Sequence, residues 1–327
     1  MEQLKVGIIG AGYIGGVHAG MLGRDERVRI EAVYDVDAER GEQLARSCGA
    51  SHGHSAAELI ERVDAVYITT PNTKHTELAI AAASLDKHVF CEKPMATTIE
   101  AAGAVLFAAQ NSRSVFQVGH NRRFAPVYVM LKRLLAAGGA PHSAHAKMNR
   151  GELINPQWVA NPKLTGGFLY ETTIHMFDML RFLFGEVAEL AAFGSTHEYA
   201  ETDDFSVLLK FKSGMHATLC SSADASWLFP FERVEVFSHH ATIVTREMES
   251  LVQSEALDGQ FTTHSMHQLS KEEKWGYAQE DRAFIDAILE GTPPLVTALD
   301  GYKSVELVDA CYRAVEAGQP VFFNAHS

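Results

Sequence analysis

Positive charge is scarce in this chain. It has 28 lysines and arginines against 41 aspartates and glutamates, a formal net charge of −13. No basic run offsets that balance, so a phosphate backbone would be repelled and no nucleic-acid partner is expected. Long apolar runs are missing too. No window approaches the length of a membrane span, and no membrane partner is expected. The apolar N-terminal segment is short, broken by glycines and preceded by Glu2, so it does not read as a signal peptide. Cysteine is sparse. Cys48, Cys91, Cys220 and Cys311 show no C-x-x-C spacing and no disulfide framework, which suits a reducing cytoplasm. Histidine is plentiful, yet the close pairs His52/His54 and His239/His240 have no cysteine or carboxylate set at ligand spacing, so no metal is expected. Internal repeats and low-complexity tracts are absent. What remains is a globular composition, 46% hydrophobic and 21% charged, over 327 residues, enough for two domains. A cytoplasmic protein that handles a small molecule fits these limits.

The stretch from Leu4 to Asp35 organises the rest. Leu4, Val6, Ile8 and Ile9 read as a buried strand, and Gly10, Gly12 and Gly15 follow at once in G-x-G-x-x-G spacing. An apolar segment through Val17 and Leu22 has helical period, and a second strand, Ile30 to Tyr34, ends at Asp35. Three such glycines alone are a weak signal. Between a strand and a helix, with an acidic residue at the end of the next strand, they predict dinucleotide binding. Gly10 allows the tight turn, Gly12 lets the backbone approach a pyrophosphate, and Gly15 permits close helix–strand packing. The helix N-terminus then offers N–H groups and partial positive charge. Asp35 is placed to accept hydrogen bonds from ribose hydroxyls and would repel a 2′-phosphate, so NAD is expected ahead of NADP. Arg40 is the nearby group that would meet such a phosphate. Asp37, just ahead of Ala38 to Ala45, fits better as a helix cap.

The alternation continues as a parallel α/β sheet requires. Helices are predicted at about 38–47, 55–62, 75–84 and 98–110, with strands at 65–69, 88–91 and 115–119. Pro71 ends one strand in the turn Thr70-Pro71-Asn72, where the carboxyl ends of parallel strands face a ligand. Near Asn121-Arg122-Arg123-Phe124 the pattern changes. Beyond a helix that begins at Pro126, the strands 207–211, 215–220, 234–237 and 241–244 are consecutive and separated by short turns. Several alternate apolar with polar, which predicts an antiparallel sheet with one open face. One helix interrupts at about 171–184, and two more, 277–290 and 300–317, close the chain. The expected fold is α/β, with an N-terminal doubly wound parallel Rossmann sheet in residues 1–122. Residues 123–327 are expected to form an α+β domain with a large, mainly antiparallel sheet, one face of it open to solvent or to another subunit.

Two stretches carry reactive groups. Cys91-Glu92-Lys93-Pro94 ends a predicted Rossmann strand, and Pro94 marks a rigid turn. A lysine held there can hydrogen-bond a substrate oxygen as a cation, and Glu92 can reach a cofactor ribose; a solvated surface ion pair is the plainer alternative. The second stretch runs from Gly166 to Asp178. In a helix over 171–184, Glu171 and His175 are i, i+4 neighbours, and Asp178 lies three residues further on a similar azimuth. A carboxylate beside an imidazole fixes its tautomer and raises its basicity, as a general acid–base needs. The plainer alternatives are a helix-end charge for Glu171 and a satisfied semi-buried ring for His175.

Taken in order, these segments resemble the Gfo/Idh/MocA oxidoreductases. The carriers are G-x-G-x-x-G with Asp35, Thr70-Pro71-Asn72 with His75, Glu92-Lys93-Pro94, Asn121-Arg122-Arg123-Phe124, and Gly166-Gly167 with His175 and Asp178. The closing Asp300-Gly301 and Gly318-Gln319-Pro320-Val321 look similar as well. The resemblance implies NAD(P) chemistry on a sugar, an inositol or a related polyol, with Lys93 and His175 catalytic and Glu171 assisting. For the cofactor it implies Gly10, Gly12, Tyr13, Ile14, Gly15, Asp35, Thr69, Thr70, Pro71, Asn72, His75, Glu92, Lys93, Asn121 and Arg122. For the substrate it implies Lys93, Arg122, Asn155, Trp158, Tyr170, Glu171 and His175. A homodimer or homotetramer is implied too. One position departs: members similar to inositol dehydrogenase usually have aspartate four residues before the histidine, where this chain has Glu171. That departure bears on the substrate more than on the reaction.

The expected reaction is hydride transfer from a carbinol carbon to NAD, with His175 taking the hydroxyl proton and Lys93 holding the developing alkoxide. Two other classes stay open. Some similar proteins use a retained NAD to break glycosidic bonds through transient oxidation, and others are non-catalytic ligand sensors. The presence of both Lys93 and His175 disfavours a sensor.

Overall fold

A computed structural model describes residues 3–150, 157–226 and 228–323. They fall into two compact units, Met1–Asn121 with Gly276–Val305, and Arg122–Trp275 with Glu306–Ser327.

The first unit begins with β1 (Leu4–Ile9), α1 (Tyr13–Leu22), β2 (Val28–Tyr34), α2 (Ala38–Cys48), β3 (Ser51–His52) and α3 (Ala56–Arg62). It continues with β4 (Ala65–Ile68), α4 (His75–Ser84), β5 (His88–Glu92), α5 (Ile99–Asn111) and β6 (Phe116–Gly119). All six strands pair in parallel in the order β3-β2-β1-β4-β5-β6. The central strands β1, β4 and β5 are largely buried on both faces, which is why they read as apolar runs. The helices start where short polar side chains cap them. Asp37, Ser55 and Thr98 each accept a first-turn N–H of α2, α3 and α5.

The second unit opens with α6 (Pro126–Ala137), β7 (Ser143–Met148), α7 (Pro162–Thr165), α8 (Ile174–Phe184) and β8 (Val187–Ser195). Then follow β9 (Asp204–Phe211), β10 (His216–Ser222), β11 (Glu232–Ser238), β12 (Ala241–Arg246), β13 (Ser250–Ser254), β14 (Thr262–Ser265) and the short α9 (Lys271–Lys274). The chain ends with α10 (Tyr277–Glu290), α11 (Ala298–Ala317) and β15 (Val321–Phe322). The second sheet has nine strands in the order β14-β13-β12-β11-β7-β10-β9-β8-β15. All its pairings are antiparallel except β7 with β10. Strict alternation in β9 buries Phe205, Val207, Leu209 and Phe211 and leaves Ser206, Leu208 and Lys210 exposed, so one face of the sheet is open.

Chain order and compactness part company at α10. A division at residue 122 sets this helix with the second domain, yet it packs in the first unit. Phe284 and Ile285 of α10 join the core built on β1, β2 and β4. Tyr67 and Phe90 stack at 4.6 Å, and Phe284 meets both edge-on at 5.5 and 5.7 Å. Full burial of that phenyl ring is worth about 2–3 kcal/mol. Apolar side chains, not sequence proximity, fix where α10 belongs.

Candidate active site

The glycine turn is built as the sequence requires. Gly10 has φ +105°, and a Cβ there would lie 2.6 Å from the Thr69 carbonyl. A Cβ on Gly15 would lie 2.1 Å from the Gly10 carbonyl oxygen. Both positions therefore exclude a side chain. Gly12 differs: it is exposed, and nothing lies within 4 Å of where its Cβ would be. It is also the N-cap of α1, with no side-chain cap and no acidic residue in the first turn. Open space above an uncapped helix start is the cradle a pyrophosphate needs, so the residues present fit a dinucleotide.

Asp35 braces that turn. One carboxylate oxygen accepts the Ala11 N–H at 2.7 Å and the other accepts the Asp37 N–H at 2.8 Å. The oxygen that receives Ala11 keeps a lone pair for a ribose hydroxyl. Arg40 reaches back to Asp35 at 3.4 Å and to Asp37 at 3.0 Å, so its charge is shared between two carboxylates. Asp37 caps α2, as its position suggested. Tyr13 is exposed and Ile14 half-buried beside it.

Several residues expected at the cofactor are occupied holding the turns together. The Thr69 hydroxyl donates to the Gly10 carbonyl at 2.7 Å, with the Ile9 carbonyl at 3.1 Å. His75 is buried, its Nδ1 2.7 Å from the Pro94 carbonyl and its Nε2 2.8 Å from the Thr70 carbonyl. Burial lowers its pKa, so near neutrality the ring carries one N–H and donates to one of these carbonyls at a time. It thereby ties the turn of Thr70, Pro71 and the buried Asn72 to the turn of Lys93 and Pro94. Glu92, read from sequence as a ribose ligand, is buried too. Its Oε1 lies 3.1 Å from His18 Nε2, and its Oε2 accepts the Lys93 backbone N–H at 3.1 Å. Lys93 itself is half-buried, between buried Glu92 and Pro94. Asn121 is buried at the end of the first unit.

In the second unit the Gly166–Asp178 stretch is not one regular helix. Gly166 ends α7 with φ +86°, and Gly167 follows with φ +120°. A Cβ on Gly167 would lie 2.7 Å from the Tyr312 hydroxyl and 3.2 Å from the Glu201 carboxylate. Those two groups accept the next amides: Phe168 N–H to Glu201 at 3.0 Å and Leu169 N–H to Tyr312 at 3.2 Å. Burial raises the pKa of both. Leu169–Thr173 then forms a π-helical turn, closed by the Ile174 N–H on the Leu169 carbonyl, and α8 begins only at Ile174. The helix expected over 171–184 is present, but its start is π-helical and the expected i, i+4 geometry is corrected. A wider rung carries Glu171, and the i, i+4 spacing of an α-helix does not describe its relation to His175. Both side chains are buried, at 9% and 7% exposure.

Asp178 was expected to flank His175; the structure gives it a bidentate partner, Arg123, at 2.6 and 2.9 Å. Arg122, expected at cofactor and substrate, is 4% exposed and donates to Glu232 at 2.8 Å. It also lies 5.3 Å from the centre of the Trp275 ring, and Tyr128 donates to the same carboxylate at 2.6 Å. Tyr170 is buried near Tyr312, and Trp158 is half-buried in the 3₁₀ turn Gln157–Ala160. Asn155 lies outside the described residues. Sequence reading missed His18, Asp281, Glu201, Tyr312 and Glu232. Each meets its partner across a sequence separation that no local motif records.

Comparison with known proteins places the chain. A family model described as "Oxidoreductase family, NAD-binding Rossmann fold" matches residues 4–120, and its companion, "Oxidoreductase family, C-terminal alpha/beta domain", matches residues 132–323. The chain is similar to the myo-inositol 2-dehydrogenase of Thermotoga maritima, 29% identical over 97% of this chain and 98% of that one. It is similar to the inositol 2-dehydrogenase of Rhizobium meliloti, also 29% identical, over 95% and 97%. Among solved structures, GenD2 from gentamicin A biosynthesis, in complex with NAD, superposes with a TM-score of 0.86. It is 25% identical and covers 99% of this chain and 97% of that one.

Proposed function

Because the chain belongs to the Gfo/Idh/MocA oxidoreductases, with their NAD-binding Rossmann domain, we propose that it is an NAD-dependent dehydrogenase of an inositol, sugar or related polyol. The observation that carries this reading is the full-length likeness to two enzymes named for inositol oxidation. When bound, NAD would supply the acceptor for a hydride from a carbinol carbon, and NADH the donor for the reverse. The chain's own groups handle charge and protons. Gly12 and the first amides of α1 hold the phosphates, and Asp35 takes the ribose hydroxyls. Lys93 presents its ammonium to the substrate oxygen and stabilises the alkoxide. His175 takes the hydroxyl proton at a ring nitrogen. Glu171 orients that imidazole or binds a neighbouring hydroxyl. The reading places the enzyme in the cytoplasm, in keeping with four free thiols. Among the described residues no helix is long and apolar enough to cross a membrane.

The test is a panel of inositols, aldoses and sugar acids with NAD, followed by NADH absorbance. At least one inositol or aldose should give sustained NADH. Turnover of a glycoside without net NADH would instead mark a hydrolase that regenerates its cofactor.

The same reading includes a homodimer or homotetramer built on the open face of the nine-stranded sheet. Leu208 is 51% exposed there, amid polar neighbours that a subunit interface would cover. Light scattering at micromolar concentration should give a multiple of the 35.8 kDa chain mass, and Leu208→Lys should lower it. A wild-type protein that stays monomeric would remove this part of the proposal.

A further inference from the structure

Beneath the lysine turn lies a buried chain of three titratable groups that the proposed chemistry does not use. His18, on α1, is fully buried. Its Nδ1 lies 2.7 Å from Asp281 Oδ1 on α10, and its Nε2 lies 3.1 Å from Glu92 Oε1 at the end of β5. Asp281 and Glu92 are 3% and 7% exposed. The other carboxylate oxygen of Glu92 accepts the Lys93 backbone N–H. Two residues on, the Pro94 carbonyl is held by His75. The turn is thus gripped on both sides of Lys93, and from Cys91 to Ala96 every residue but Lys93 is buried.

Three ionisable groups in an apolar interior need an explanation. Around the His18 ring stand Phe90 at 4.8 Å, Tyr67 at 5.4 Å and Tyr277 at 6.1 Å. Removing such charges from water costs several kcal/mol each, and well-packed apolar side chains of similar volume often hold a core as well. Stability alone is therefore a weak reason for this arrangement.

We propose that Asp281 and His18 are positioning residues for Lys93: His18, held by Asp281, fixes one oxygen of the Glu92 carboxylate while the other accepts the Lys93 amide, so that the lysine turn keeps one orientation through catalysis. This rests on the reading of Lys93 as the group that binds the substrate oxygen. The electrostatics agree with the geometry. Burial alone would lower the His18 pKa, but the charge and hydrogen bond of Asp281, joined by those of Glu92, hold it well above the ordinary value. Burial would likewise raise Glu92, and hydrogen bonding to His18, with the charges of His18, Lys93 and His75, keeps it low. Asp281 is raised by burial, which His18 offsets only in part. Glu280, the other buried carboxylate of α10, and Asp281 both bear on the Tyr67 phenol. The sign follows. A histidine raised on folding holds its contacts fully below the unfolded value and loses them as pH rises through the folded one. Catalysis that depends on this chain should therefore decline on the alkaline side.

Two measurements test the proposal. Nitrogen-15 histidine NMR of the wild-type protein, without substrate, should show His18 protonated on both ring nitrogens at pH 7. A neutral ring at pH 7 would overturn it. The second is the pH profile of kcat for Asp281→Asn. Without that charge, burial should pull the His18 pKa down, so kcat near pH 8 should fall about tenfold, recover as pH is lowered, and leave the Kd for NADH nearly unchanged. Asp281→Glu should restore most of the rate. A uniform loss at all pH values would mark a merely structural role and overturn the proposal. If Asp281→Asn does not fold, the same profile is read from His18→Gln, which cannot titrate and should lose the alkaline limb altogether; retention of that limb counts against it. Should Lys93→Met keep its activity while His18 titrates as described, the failure lies in the role given to Lys93 and not in the buried chain.

Discussion

Lys93→Met should lower kcat about a thousandfold while changing the Kd for NADH by no more than a few fold. The asymmetry comes from where this side chain stands. Glu92, Pro94, Met95 and Ala96 around it are buried and fixed, so the backbone of the turn does not depend on the ammonium group. Methionine has nearly the length of lysine and no charge, and it removes only the cation. If that cation stabilises an alkoxide, its loss resembles removal of an oxyanion donor, which typically costs a hundred- to a thousandfold. Lys93→Arg should recover little, because a planar fork does not replace a compact point charge. NADH fluorescence titration supplies the Kd, and initial rates on the best polyol supply kcat. A loss smaller than tenfold would exclude Lys93 from the reaction.

Much of the fold was legible because its signals are local. The glycine turn, Asp37 at the start of α2 and the helix that follows Pro126 each follow from neighbours within a few residues. Five of the six parallel strands announce themselves as apolar runs bounded by turns, while the two-residue β3, Ser51–His52, carries no such signal. Other elements were hidden for physical reasons. β8 is alanine-rich and carries little β-propensity, while β13 and β14 are short and polar and are held by their pairing in a larger sheet. The π turn at Leu169–Thr173 could not be read, since the amides of Phe168 and Leu169 are received by Glu201 and Tyr312 from far along the chain. The site shows the same division. Residue types near Lys93 and His175 marked them as candidates, but the partners of Glu92, Arg122 and Thr69 carried no local signal. Their partners are His18, Glu232 and the Gly10 carbonyl, and only the folded chain brings these together.

Asp178→Asn should destabilise the second unit by about 3–5 kcal/mol. Asp178 is fully buried on α8, one turn beyond His175, and both its oxygens receive the Arg123 guanidinium. Arg123 is 4% exposed and lies 5.0 Å from the centre of the Phe182 ring, so it has little access to water if its counter-charge is removed. Asparagine keeps the shape and one acceptor, and therefore isolates the charge. The expected result in a urea titration is a lower midpoint with an unchanged slope for the unit that carries α8. The double variant Arg123→Met/Asp178→Leu separates two explanations. If the cost of the single change is an uncompensated buried cation, the apolar pair should recover most of the stability, because both charges are gone. If the pair instead contributes geometry that apolar groups cannot supply, the double variant should be as unstable as the single one. Activity then distinguishes folding from function: a stable double variant that still turns over slowly would show that this ion pair aims α8, and His175 with it. A single variant within 1 kcal/mol of wild type would mean that water reaches Arg123 and that its burial does not govern this helix.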